Sequence, residues 1–158
     1  MRAIFTLIIF LLSITVCNGQ VFEEEDDFTG QKSLHTDRFS VRAVEGSVQS
    51  SNGIFAHTYE TGYIFYHHVR SSEWQHLMER TMYFLLDGER HQFEVANSDT
   101  DTDMSGNNFS IIEINAILVS EDFLRELSNS TQARFRFGSN VYEIRQDGKR
   151  LADEIINY

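Results

Sequence analysis

Met82-Tyr83-Phe84-Leu85-Leu86-Asp87-Gly88-Glu89-Arg90-His91-Gln92-Phe93-Glu94-Val95 is the stretch that decides the fold class. Its first five residues are continuously apolar, the pattern of a strand covered on both faces. Asp87-Gly88 then suits a type I′ turn, which needs positive φ at both central residues; Asp tolerates that geometry and Gly adopts it freely. From Glu89 the period is two, with Phe93 and Val95 on one side and Arg90, Gln92 and Glu94 on the other. The spacing predicts a hairpin, and with it antiparallel pairing.

Downstream, a polar loop is expected from Asn97 to Asn108, followed by the longest strand, Phe109 to Val119. Ser120 is placed as a helix N-cap, with Glu121 and Asp122 complementing the helix dipole and Phe123, Leu124 and Leu127 forming one apolar face. Ser128-Asn129-Ser130 ends that helix. Ala133, Phe135 and Phe137 then alternate with Arg134 and Arg136 in a further strand. Gly138-Ser139-Asn140 turns into Val141 to Arg145, and Asp147 is positioned to cap a final helix whose face is Leu151, Ala152 and Ile155.

Upstream, Phe39, Val41 and Ala43 alternate with Arg38, Ser40 and Arg42, and Ser50-Ser51-Asn52-Gly53 breaks the pattern. Ile54 to Tyr59 and Tyr63 to Val69 read as strands around a turn at Glu60-Thr61-Gly62. Ser71 or Ser72 can cap a short helical turn carrying Trp74, Leu77 and Met78 on one side. The expected fold class is therefore α+β or mainly β: an antiparallel sheet or sandwich of about eight strands with two or three short helices.

Three regions are expected. Residues 1–19 have the layout of a secretory signal peptide, with Arg2, the apolar run Ile4 to Leu12, and a small residue, Gly19, at the cleavage position. The apolar run stops near Val16, short of the roughly 20 residues that a membrane span needs, so no span remains in the mature chain. Lipidation of Cys17 would require a small residue just before it, and Val16 fits that poorly. Residues 20–37, opening on Glu23-Glu24-Glu25-Asp26-Asp27, are expected as an acidic flexible leader. Residues 38–158 form a single antiparallel β-rich domain. The expected location is exported: periplasmic, cell-envelope or extracellular.

Composition removes several functions. The 158 residues carry 13 Lys and Arg against 24 Asp and Glu, a net charge of −11. A phosphate backbone is repelled at long range by such a chain, so no nucleic-acid partner is expected. Cleavage after Gly19 would also remove Cys17, the one cysteine, and with it thiol nucleophiles and cysteine metal sites.

Residues able to do chemistry are few. His67 and His68 are adjacent on a strand and point to opposite faces, so they cannot share an ion. If Thr61 and Gly62 are central in the turn, His57 lies diagonal to His68, but no third ligand is indicated for zinc. Glu73-Trp74-Gln75-His76 is a single copy of a spacing that carboxylate-bridged metal proteins use in pairs. Asp99, Asp101 and Asp103 alternate like the first ligands of a calcium loop, yet Met104 and Ser110 stand where glycine and a bidentate glutamate are needed. Glu113 and Asn115 interrupt an apolar stripe on the 109–119 strand. Such a carboxylate is either a general acid of raised pKa or the mark of an exposed sheet face. Asn108-Phe109-Ser110 and Asn129-Ser130-Thr131 are glycosylation sequons.

No catalytic set emerges, and no cofactor or metal is expected. The reading is a non-catalytic exported binding or interaction domain. Its alternatives are an exported hydrolase using Glu113 with a histidine, or a weak calcium-binding module at Asp99, Asp101 and Asp103. Charge locates the binding face. Residues 20–132 hold 7 basic and 20 acidic side chains, whereas residues 133–150 hold Arg134, Arg136, Arg145, Lys149 and Arg150 against Glu143 and Asp147. Arg134, Arg136 and Arg145 are the candidate binding residues. Arginine forks suit planar anions, so a protein, an acidic polysaccharide or a lipid headgroup is the expected partner.

Overall fold

The computed structural model describes residues 20–27, 30–46, 48–105 and 108–158; the expected signal peptide, with Cys17, lies outside them. The described residues are mostly β, with 60% of them in strands. The strands run β1 (Val21–Glu25), β2 (Lys32–Thr36), β3 (Phe39–Glu45), β4 (Ser50–Thr58), β5 (Gly62–Ser71), β6 (Thr81–Leu86), β7 (Glu89–Ser105), β8 (Asn108–Val119), β9 (Ala133–Phe137) and β10 (Asn140–Ile144). Two helices, α1 (Glu121–Asn129) and α2 (Gln146–Ile156), follow β8 and β10.

Neighbouring strands in the order β4-β3-β10-β9-β6-β7-β8-β5 are hydrogen-bonded, and β5 returns to β4. Eight antiparallel strands therefore close into a barrel, with β1 and β2 outside it. A barrel replaces the expected open sheet or sandwich. The decisive strand is β4: it lies against β5 from Ser50↔Arg70 to Thr58↔Gly62 and meets β3 through Phe39↔Gly53 and Ser40↔Asn52. Gly53 is required at that join, because a Cβ there would sit 2.3 Å from Cζ of Phe39. The expected break at Ser50–Gly53 is thus the start of β4.

Alternation sends Phe65, Phe84, Phe135, Phe137, Ile117 and Tyr142 inward, and each is at most 2% exposed. An eight-stranded barrel is just wide enough for side chains to fill, and aromatic rings fill this one. Phe135 stacks on Phe84 and on Tyr142 with ring centroids 5.0 and 4.9 Å apart. The helices pack beside the end of the barrel at which β8 finishes, through Phe123, Leu124 and Leu127 of α1 and Leu151, Ala152 and Ile155 of α2. Ser120 caps α1 as expected, its Oγ accepting from the Phe123 amide at 3.1 Å. Asp147 does not cap α2. Arg145 occupies the N-cap without a side-chain bond, and Asp147 accepts from the Ser40 amide on β3.

Four other expectations are corrected. Residues 20–37 are not a loose leader among the described positions, because β1 pairs with β2 from Val21↔Thr36 to Glu25↔Lys32 and β2 pairs with β4. No helical turn forms after Ser72: Trp74, Leu77 and Met78 lie in an exposed loop while His76 turns inward. Asn97 to Ser105 is strand, with Thr100↔Glu113 and Asp103↔Ser110 in register with β8. Local charge misleads there, since Asp99 and Asp101 accept hydrogen bonds from the amides of Thr100 and Thr102. Finally, β6 is covered on one face only. Tyr83 and Leu85 are each 43% exposed.

The hairpin at Asp87-Gly88 is as expected, with φ of 47° and 102° at the two residues. Gly88→Val forces a β-branched side chain into this left-handed region, at a cost of about 1–3 kcal/mol. Equilibrium denaturation should show that loss; an unchanged midpoint would mean that the turn does not constrain the fold.

Candidate functional site

The inner wall of the barrel changes character along its axis. Toward α1 it is aromatic and aliphatic; toward the loop of residues 72–80 it carries His67, Ser51, Glu113, Asn115 and Tyr142, joined by His76 from the loop itself. Glu113 and Asn115 are each 2% exposed, so they face the interior and not an open sheet face. Both Glu113 carboxylate oxygens are engaged: Oε2 accepts from the Gln75 amide at 2.8 Å and Oε1 from the His76 amide at 2.9 Å. Beside them, Nε2 of His76 shares a 2.8 Å hydrogen bond with the Tyr142 hydroxyl, and Gln75 accepts from Asn140. Glu113 is thus the clasp that holds the 72–80 loop on the barrel. A sealed carboxylate already bonded to two amides is placed for anchoring, and it offers a hydrolytic substrate no approach.

The two inward histidines are packed as aromatic rings. His67 is wholly buried against Tyr142 and Phe135, and its Nε2 shares a 2.7 Å bond with Ser51 Oγ. His76 stacks on Phe137 with centroids 4.2 Å apart. Burial disfavours the charged imidazole, lowering the pKa of His67 well below the ordinary value and that of His76 to about 4. Burial also pushes the Tyr142 hydroxyl up, with the Glu113 charge adding to it. His67 Nδ1, His76 Nδ1 and Asn115 Nδ2 have no partner among the described residues.

The remaining histidine and acidic candidates separate. His57 faces Tyr63, not His68, because the β4–β5 loop is Tyr59 to Thr61 and the register follows it. Among the described residues no group of three His, Cys, Asp or Glu could hold a metal ion. Asp99, Asp101 and Asp103 spread along β7, and Asp103 pairs with Arg70.

Two of the three arginine candidates, Arg134 and Arg136, share one face on the outside of the barrel. Alternation on β9 points Arg134 and Arg136 outward as expected. Register then assembles a row across five strands: Arg90 of β7, Leu85 of β6, Arg134 of β9, Glu143 of β10 and Arg42 of β3. The next row holds Gln92, Tyr83, Arg136 and Val141. With strands about 4.8 Å apart, Arg90 and Arg134 stand roughly 10 Å apart with Leu85 between them. Of these residues, Arg90, Leu85, Arg134, Gln92, Tyr83, Arg136 and Val141 line a groove of about 730 Å3, the larger of the two main surface clefts; the other, of about 580 Å3, lies by Tyr59. Arg136 lies over the Tyr83 ring at 5.1 Å, and Glu143 is taken up by Arg42. Among the described residues no carboxylate pairs with Arg90, Arg134 or Arg136.

Three cations of the basic segment lie elsewhere. Arg145 is exposed at the N-cap of α2, outside the groove. Lys149 is buried and donates to the carbonyls of Ser130 and Thr131, and Arg150 pairs with Glu154. Arg90 takes their place. It was hidden in sequence by the acidic stretch around it, and its clue was the hairpin register, which sets it opposite Leu85.

The buried histidines set a pH dependence. In the unfolded chain each protonates near pH 6.5, whereas folded His76 resists protonation until about pH 4. Folding stability is therefore full above pH 6.5 and declines as pH falls through that window, by up to about 1.4 kcal/mol per pH unit per histidine. Denaturation midpoints measured between pH 7 and pH 5 should fall in the native protein and fall less steeply in His76→Gln. Equal slopes would contradict the assignment.

Comparison with protein-family models, with curated proteins and with solved structures finds no match to this chain, so its functional reading rests on its own residues.

Proposed function

We propose that this protein is a non-catalytic exported binding domain whose docking face is the outer groove on β7, β6, β9 and β10, and that it holds an acidic segment of a protein partner there. One observation carries the reading: Arg90, Arg134 and Arg136, unpaired among the described residues, flank the exposed Tyr83 and Leu85 on a chain of net charge −11. Arginine and tyrosine around an apolar centre are the residue types that dominate binding energy at protein interfaces. A guanidinium fork takes a carboxylate bidentately, and Arg134 and Arg136 are both exposed and carry no ion pair among the described residues.

The barrel supports this division of labour, because its interior is packed with aromatic rings and its buried carboxylate is committed to backbone amides. The export part of the reading is supported by the layout of residues 1–19, with Arg2 ahead of the apolar run and Gly19 at its end. Among the described residues no helix is long and apolar enough to cross a membrane.

Arg134→Glu with Arg136→Glu should abolish retention on a carboxylate-bearing matrix and leave the melting temperature within a few degrees, since both side chains are exposed. Retention equal to that of the native protein would eliminate this face as a docking site. The same preparation, recovered from outside the producing cell, should have Gln20 as its first residue by mass.

A further inference from the structure

We infer that the acidic segment held in the groove is strand β1 of a second copy of this chain. The inference rests on the docking face just proposed and supplies its occupant. β1 contains Val21-Phe22-Glu23-Glu24-Glu25, so three consecutive carboxylates meet the solvent on one short strand. Close to them, Lys32 bonds Glu23 at 2.7 Å, and Glu24 reaches only the ring of His35 at 3.8 Å. One lysine against the three glutamates of β1 leaves a local excess of negative charge.

The two surfaces match in pattern as well as in sign. Phe22 is 39% exposed and shares a face of β1 with Glu24, one aromatic ring and one carboxylate about 7 Å apart along the strand. The groove has the same alternation by column: Tyr83 and Leu85 on β6, bordered by Arg90 on β7 and by Arg134 and Arg136 on β9. An aromatic contact with Tyr83 or Leu85 therefore brings a neighbouring carboxylate within reach of an arginine fork. β1 also pairs with β2 alone, which leaves its outer edge outside the sheet order.

The contact must form between molecules. Within one chain β1 is separated from β9 by β2, β4, β3 and β10, and its nearest cation is Lys32. Groove and strand are different patches, so the contact is heterologous in kind. It closes if each copy inserts its β1 in the other's groove and extends if it does not. With both partners carrying net negative charge, the association is weak, dependent on concentration and sensitive to salt.

Sedimentation of the protein as its host produces it, at concentrations up to about 1 mM, is the test. Mass should rise with concentration at low salt and return to that of one chain at about 1 M salt, where the screening length is only about 3 Å. Glu24→Lys with Glu25→Lys should remain a single chain, as should Arg134→Glu with Arg136→Glu. An equimolar mixture of these two variants should associate again, because each supplies the charge that the other has reversed. The substituted positions are exposed, and unchanged melting of each variant excludes misfolding. A native protein that stays a single chain at all concentrations, while its retention on the carboxylate matrix still depends on Arg134 and Arg136, overturns the second-copy assignment and leaves the docking face standing. Association that is indifferent to both charge reversals overturns the inference; matrix retention equally indifferent to them overturns the docking face as well.

Discussion

Closure through β4 is the constraint on which everything else depends. This strand gives one edge to β5 over nine paired positions and divides the other between β2 and β3. The β3 share is only two residue pairs wide and is made possible by the missing side chain of Gly53, over which the Phe39 ring lies. Once the ring of strands is closed, inward alternation brings many phenyl groups into a space about one side chain deep. The interior is then occupied, and recognition is left to the outer surface and the loops.

The polar part of the interior follows from the same geometry. Where the wall extends beyond the aromatic packing, the loop of residues 72–80 covers it, and its amides need acceptors. Glu113 supplies two, while Tyr142 and Asn140 engage His76 and Gln75. Trp74 and Met78 of the same loop stay in solvent, at 47% and 83% exposure, on a backbone fixed from beneath. The buried carboxylate is a positioning element.

Much of the fold was legible in sequence, and for local reasons. The Asp87-Gly88 turn, the Ser120 cap and the alternation of Ala133, Phe135 and Phe137 each depend on neighbours within a few residues. What escaped depends on which strand each segment pairs with, and local composition hides that. β1 and β2 look like a mobile acidic leader until β4 supplies the ladder. Residues 97–105 look like a loop until β8 pairs with them. The apolar run 82–86 gives no hint that Tyr83 and Leu85 lack a cover, since the pattern of a strand buried on both faces is the same as that of a strand with an apolar outer surface. Arg134 and Arg136 were visible as a pair, but Arg90 joined them only through register.

The aspartates of β7 show how one residue type can serve a strand it seems to oppose. β6 reaches only as far as Glu94 on β7, so the side of β7 away from β8 runs on without a neighbouring strand. On this stretch the carboxylates of Asp99 and Asp101 accept the amide hydrogens of the residues that follow them. A donor already satisfied by its own neighbour is closed to an incoming chain, and a carboxylate beside it repels one. The free edge of β7 is therefore a poor template for stacking, so its length escapes the hazard that usually limits exposed β-structure.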